Sequence, residues 1–266
     1  MSKESGQPKF ELITGVRNGP KKVAIYGTAC IGKSSFAAQF DSPIFIQTEN
    51  AGGEIDCPRL PVCKSWGDMI DQLTLIYKGE YGEYKTLVVD SLKFVEQLIV
   101  KEVCKNKGID SLDDLQYGVA YGDAMSMWYK FTDMMDRFLD SDMDVVLIGH
   151  ETQRTVKDPR TDEYETTTLD LMKWGRTYDP VKMLAPWCDC VLYLAHKLYT
   201  SSTDTGLGQT RTTATSTGDR IIYTEERPAY LAKNRYKMPP ELPYKDGKGY
   251  SVIKQYLNVT EKKESK

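Results

Sequence analysis

The chain has 266 residues, 40% of them hydrophobic and 27% charged. That length suits one large domain or two small ones, and the apolar content can fill a core, which excludes intrinsic disorder and collagen-like repeats. The formal net charge of −3 excludes a bulk electrostatic grip on nucleic acid, though not local basic loops that converge in an oligomer.

Residues 1–20 form a polar N-terminal segment with one strand-like run, Phe10-Glu11-Leu12-Ile13, and a turn at Asn18-Gly19-Pro20. Lys22–Tyr26 is an apolar strand that runs into Gly27, and a helix is expected from about Lys33, burying Phe36, Ala37 and Phe40. Ile44-Phe45-Ile46 is the next strand, followed by Gln47-Thr48-Glu49-Asn50 and two glycines, and Leu60–Cys63 is a candidate minor strand. Met69, Leu73 and Ile76 recur at helical spacing within Trp66–Tyr77. Leu87-Val88-Val89 is apolar throughout, as a strand buried on both faces of a parallel sheet would be. A helix through Phe94, Leu98, Ile99 and Val103 follows, then a longer one over about Gly122–Leu139. Its methionine-rich face reads as core packing before any ligand role. Val145–Ile148 is a further buried strand.

Beyond His150 the pattern changes. Gln153–Thr168 is polar and reads as a long loop or a hairpin; Asp179–Leu184 reads as a short helix and Cys190–Ala195 as a strand. Ser201–Gly218 is rich in Ser, Thr and Gly and reads as a mobile hairpin tip or a disordered loop. Ile221–Tyr223 and Ala229–Ala232 are strand-like, and Tyr250–Leu257 is a final strand or short helix. The expected organisation is one domain over 21–258, with flexible loops at about 153–177 and 200–218 and a charged tail at 259–266. Strands alternating with helices argue for a mostly parallel α/β sheet.

No apolar run approaches the roughly 20 residues that cross a bilayer, so no membrane association is expected. Met1-Ser2-Lys3-Glu4-Ser5-Gly6 has no apolar segment behind its charges and does not read as a secretory signal. The six cysteines therefore read as reduced thiols of a cytoplasmic protein. Cys188-Asp189-Cys190 is too tightly spaced for a zinc knuckle.

Gly27-Thr28-Ala29-Cys30-Ile31-Gly32-Lys33-Ser34 fits G-x-x-x-x-G-K-[ST] at every fixed position, with Ser35 continuing into the expected helix. The chemistry needs these residue types. Loop N–H groups and the helix start converge on an anion, and the glycines allow close approach of the backbone. Lys33 neutralises the β- and γ-phosphates, and the Ser34 hydroxyl ligates Mg²⁺. The cofactors expected are ATP and Mg²⁺. Asp90 ends an apolar strand and can hold the Mg²⁺, although Asp90-Ser91 could equally cap the following helix. Ser91 is no second carboxylate, so a base that orients water must come from elsewhere. Glu49, just past the strand Ile44–Ile46, is the candidate, against an exposed loop acid. Asn106-Lys107-Gly108-Ile109-Asp110 has one residue too many for the guanine-reading N-K-x-D motif.

The succession AIYGTACIGKSS, IFIQTEN, LVVDS and VVLIGHETQ resembles the RecA-type recombinase and helicase core, closest to the compact phage RecA-like ATPases of single-strand-annealing recombination. Leu231-Ala232-Lys233-Asn234-Arg235 resembles that family's A-K-x-R segment, and the resemblance spans about residues 20–240. It implies a RecA-like core, a mostly parallel sheet flanked by helices, with a C-terminal antiparallel β extension. It also implies that His150 senses the γ-phosphate, where the alternative is a satisfied histidine at a strand end. Lys233 and Arg235 would reach a neighbour's ATP site in a homo-oligomer, where the alternative is a solvated strand edge. The loop from Gln153 to Thr177 would face single-stranded DNA, where the alternative is a solvated, charge-balanced hairpin; a single-strand-annealing or single-strand-binding protein would be a further partner, and the host cytoplasm the location if phage-encoded. Two positions depart from the pattern: Cys30 stands where the family has glycine, and His150 where recombinases carry a polar amide. A nucleotide or small-molecule kinase and a non-hydrolysing ATP-bound scaffold are the competing functions on the same phosphate loop.

Overall fold

The computed structural model describes residues 18–50, 55–204, 210–245 and 247–257. The run Phe10-Glu11-Leu12-Ile13, the glycines at 52 and 53, and the tail 259–266 lie outside the described residues. In chain order, β1 (Lys22–Gly27), α1 (Lys33–Ala37), β2 (Pro43–Gln47), α2 (Trp66–Tyr77), β3 (Thr86–Asp90) and α3 (Leu92–Lys107) form the first half. Then come α4 (Val119–Asp140), β4 (Asp144–Val156), β5 (Tyr164–Leu169) and α5 (Pro180–Trp187). The chain closes with β6 (Cys190–Asp204), β7 (Thr210–Tyr223), β8 (Lys233–Asn234), β9 (Glu241–Tyr244) and α6 (Gly249–Leu257).

The sheet runs β2-β3-β4-β1-β6-β7-β9. Its first five strands pair in parallel, and β7 and β9 continue it antiparallel. This is the expected α/β architecture, antiparallel extension included. Alternation along the strands divides the core in two. Ala24, Tyr26, Leu87, Val89, Val145 and Leu147 face one layer, with α2, α3, α4 and α5. Val23, Ile25, Val88, Val146 and Ile148 face the other, with α1 and α6. Each such side chain is buried, and each Val, Leu and Ile among them contributes about 1.5–3 kcal/mol. The apolar runs are thus explained: neither face of these strands meets water. Local signals set the ends of the helices. Ser65 caps α2 by accepting from the Asp68 N–H in a capping box, and Gly108 closes α3 in the left-handed conformation.

Several segments differ from the sequence reading, and others settle an alternative that it left open. Leu60–Cys63 is no strand; it lies beside β2 through bonds from Leu60 N to Phe45 O and Cys63 N to Gln47 O. Gln153–Thr168 is a hairpin: β4 runs on past the core and pairs with β5 from Glu151↔Leu169 to Val156↔Tyr164. The low-complexity Ser201–Gly218 supplies long arms of β6 and β7, with 205–209 outside the described residues. Ala229–Ala232 is not a strand, because Arg227 and Tyr230 close a turn on each other. The last segment is helical rather than extended. β9 has no counterpart in the sequence reading.

Candidate functional site

The phosphate loop leaves β1 at the C-terminal end of the parallel strands. Gly27, the last residue of β1, lies between His150 of β4 and Leu194 of β6. A Cβ at Gly27 would stand 2.1 Å from the Leu194 carbonyl oxygen, so only glycine lets the strands close here. Gly32 has φ 102°, and its carbonyl accepts from Phe36 N at the first turn of α1. Lys33 is buried, and its Nζ donates to Gly27 O at 2.9 Å and Thr28 O at 2.8 Å. Burial lowers its pKa, and the charges of Asp90, Glu151 and Glu49 oppose that shift. An ammonium held over its own loop by backbone carbonyls is placed for an incoming polyanion.

Ser34 Oγ donates to Asp90 Oδ2 at 2.7 Å, so the structure brings the two predicted Mg²⁺ ligands together. A hydroxyl and a carboxylate are hard oxygen donors of the kind Mg²⁺ takes, and this donor set fits the ion. Asp90 is buried, which raises its pKa; the bond from Ser34 works against that. Ser91 makes no side-chain cap of α3.

Glu49 lies two residues beyond β2, on the strand order's β2-β3-β4 side of the loop. Its Oε1 is 3.1 Å from His150 Nε2, so the proposed base and the proposed sensor form one pair. The bond to His150 is the main cause that lowers the Glu49 pKa; burial opposes it and Ser91 adds to it. Thr48 fixes this pair against β3. Its hydroxyl donates to Ser91 O and accepts from Ser91 N, both at 2.8 Å, while Thr48 N donates to Asp90 O. Thr48 was not legible, since its role depends on two strands meeting.

Lys233 and Arg235 lie elsewhere. Lys233 pairs with Val191, near the N-terminal end of β6, whereas the phosphate loop sits at the C-terminal end. Its Nζ donates to the carbonyls of Ala185, Pro186 and Cys188, closing the end of α5. Arg235 pairs with Asp189 at 3.0 Å, and its side chain is 55% exposed. Within one chain neither reaches the phosphate loop. Three further residues at the loop went unread. Glu151 lies close enough to Lys33 to act on its charge, Arg220 donates to Ile31 O at 3.1 Å, and Tyr244 donates to Gly32 O at 2.7 Å.

The AAA domain family profile matches residues 19–236, most of the chain. The chain belongs to the AAA domain family. Its members are phosphate-loop ATPases, which agrees with the cradle around Lys33. No curated protein matches. Among solved structures, a KaiC-like protein, PH0186, from the hyperthermophilic archaeon Pyrococcus horikoshii OT3 is 13% identical, with a TM-score of 0.42 over 87% of this chain and 88% of that one. Among the described residues no helix is long and apolar enough to cross a membrane, and no cluster of three or more His, Cys, Asp or Glu could hold a metal. All six cysteines are free thiols.

Proposed function

We propose that the chain is a Mg²⁺-dependent ATPase that acts on single-stranded DNA as a homo-oligomer, in phage-type recombination or replication. The Glu49–His150 pair beside Lys33 and Asp90 carries the hydrolytic reading. Glu49, held ionised by His150, orients the attacking water and takes its proton. Lys33 leaves the Gly27 and Thr28 carbonyls for the β- and γ-phosphate oxygens. Ser34 and Asp90 would hold Mg²⁺, which when bound spreads charge from the same oxygens. His150 is also the start of the route outward. Its carbonyl accepts from Asp170 N at 2.9 Å, and Asp170 opens the segment that carries Lys173, Trp174 and Arg176.

That segment supports the DNA reading. Buried Glu96 holds it at both ends, accepting from Met172 N and from the Tyr178 hydroxyl at 2.9 Å. Trp174 stacks on Tyr121 with ring centroids 4.7 Å apart, and Tyr117, next to it at Gly118, is 92% exposed. Aromatic faces beside cations suit stacking of unpaired bases. The oligomer reading rests on the exposed Arg235, which could exchange Asp189 for a neighbour's phosphate. A single-strand-annealing or single-strand-binding protein partner and a cytoplasmic location follow from the resemblance alone. ATP turnover measured with and without single-stranded DNA tests the proposal. Stimulation supports it, turnover that requires a phosphoryl acceptor would make the chain a kinase, and binding without turnover would make it a scaffold.

A further inference from the structure

The direction in which a nucleotide must lie over the loop is set by the strand order. Gly27 has β4 on one side and β6 on the other. Beyond Lys33 of the loop itself, the groups of the same chain placed for the terminal phosphate (Asp90, Glu49, His150) come from the β2-β3-β4 side. A triphosphate with its γ-phosphate there must send its nucleoside toward β6, β7 and β9. On that side lies a cavity of about 310 Å³, with Lys197, Tyr199, Arg220, Glu241, Leu242 and Tyr244 among its walls.

Arg220 and Tyr244 join this cavity to the phosphate loop. They are direct cross-strand partners in β7 and β9, with the guanidinium carbon 4.8 Å from the Tyr244 ring centroid. Arg220 lies opposite His196, two residues beyond the level at which Leu194 meets Gly27, so it stands above the strand ends. Each donates to a loop carbonyl, Arg220 to Ile31 and Tyr244 to Gly32. The approach is close: a Cβ at Gly32 would stand 2.6 Å from the Tyr244 hydroxyl. Between the pairs His196↔Arg220 and Leu198↔Ser216 the register shifts, because β7 carries two residues more than β6 there; this bulge bends the ladder at the cavity's rim, and Tyr199 beyond it is 45% exposed. The cavity therefore offers a planar cation backed by a buried ring, an aromatic on the rim and an apolar floor at Leu242.

We propose that the cavity between β6, β7 and β9 is the nucleoside subsite, and that it takes a purine. Arg220 is its specificity-determining residue, and its guanidinium plane stacks on the base. Tyr244 is a positioning residue that holds that plane and the phosphate loop in one geometry. Stacking gains with the area of the π-face, which favours purines over pyrimidines, and Arg supplies the plane that Lys lacks. The antiparallel extension is on this account part of the ATP site. The inference rests on the phosphate loop binding a nucleoside triphosphate.

Affinities of the full chain for Mg²⁺ complexes of ATP, GTP, UTP, CTP and inorganic tripolyphosphate, by calorimetry, test it. Wild type should bind ATP and GTP about 10-fold or more tightly than the pyrimidine nucleotides and tripolyphosphate. Arg220→Lys keeps a donor and a charge at Ile31 but loses the plane, so the purine preference should fall several-fold while tripolyphosphate affinity stays. Tyr244→Phe keeps the ring and loses the bond to Gly32, so ATP and tripolyphosphate should weaken by the same factor. Wild type that binds ATP no more tightly than tripolyphosphate overturns the subsite without any variant. Arg220→Lys that weakens both equally overturns the role of Arg220. Wild type that binds neither would instead sink the phosphate-loop reading, and this inference with it.

Discussion

Lys33 and Lys233 are held alike. Each ammonium donates to backbone carbonyls, and burial lowers the pKa of each. The neighbours differ. Around Lys33 the acting charges are Asp90, Glu151 and Glu49, and the carbonyls belong to its own loop. Around Lys233 the second cause after burial is the like charge of Arg235, and the carbonyls lie in the last turn of α5 and just past its end. A lysine that closes a helix has done its work within the chain. A lysine among carboxylates, on a loop that glycines leave open, has work with a ligand.

The comparison is broken most directly by removing each ammonium in turn. Lys33→Ala should abolish ATP turnover with the circular dichroism spectrum and melting curve intact, because the phosphate charge loses its main compensator. Wild-type turnover in that variant would remove the site from the loop altogether.

The second contrast is between Lys233, tied by three bonds, and its exposed neighbour Arg235. If Arg235 completes a neighbour's site, activity should rise more than linearly with protein concentration. Arg235→Ala should lower the rate by about 10³–10⁵ without weakening nucleotide binding, as for arginines supplied in trans. Mixing Arg235→Ala with Lys33→Ala protein should restore part of the activity, since each supplies what the other lacks. No restoration in proven mixed oligomers leaves Arg235 as the partner of Asp189 and nothing more.

How much of this was legible follows from where each signal resides. The phosphate loop, Asp90 and the buried strands are local patterns: glycines where the backbone must turn, and apolar runs where both faces are covered. Glu49 and His150 could be named singly, each just past an apolar run, but not as a pair, because β2 and β4 meet only through β3. β9 was hidden by prolines, one within it and two just before it. Glu241-Leu242-Pro243-Tyr244, after Pro239-Pro240, reads as a loop, yet Pro243 is tolerated on an edge strand. Arg220 and Tyr244 reach the loop across most of the sequence, a contact that no local pattern announces.

The Glu49–His150 pair gives the next effect in size. Glu49→Gln should keep nucleotide binding and lose about 10²–10⁴ in rate, the usual scale of a general base. Because pairing lowers the Glu49 pKa, its working charge, and any stability it adds, is full above the ordinary glutamate value near 4.5 and is lost only below it. His150→Ala removes the main lowering cause and leaves burial to raise the pKa. The acid limb of the rate–pH profile should then move to higher pH. A limb that stays in place means that another group is the base.

The smallest effect belongs to Lys233 and is one of stability. α5 has Pro186 in its last turn, and its final carbonyls find their donor in Lys233 rather than in a following turn of helix. Lys233→Met keeps the apolar stem and removes the ammonium, so packing along the stem survives while those carbonyls lose their donor. Charge-assisted bonds of this kind carry about 1.5–3 kcal/mol, less where water can replace the donor, as at the exposed Pro186 oxygen. Urea denaturation should therefore show a loss of about 1–2 kcal/mol with an unchanged slope. Nucleotide affinity should be that of wild type, since the residue lies at the far end of the strands from Lys33. Turnover per assembled subunit decides whether Lys233 has a second role. An unchanged rate confines it to closing α5, whereas a fall with wild-type assembly and affinity places its ammonium at a neighbour's phosphate.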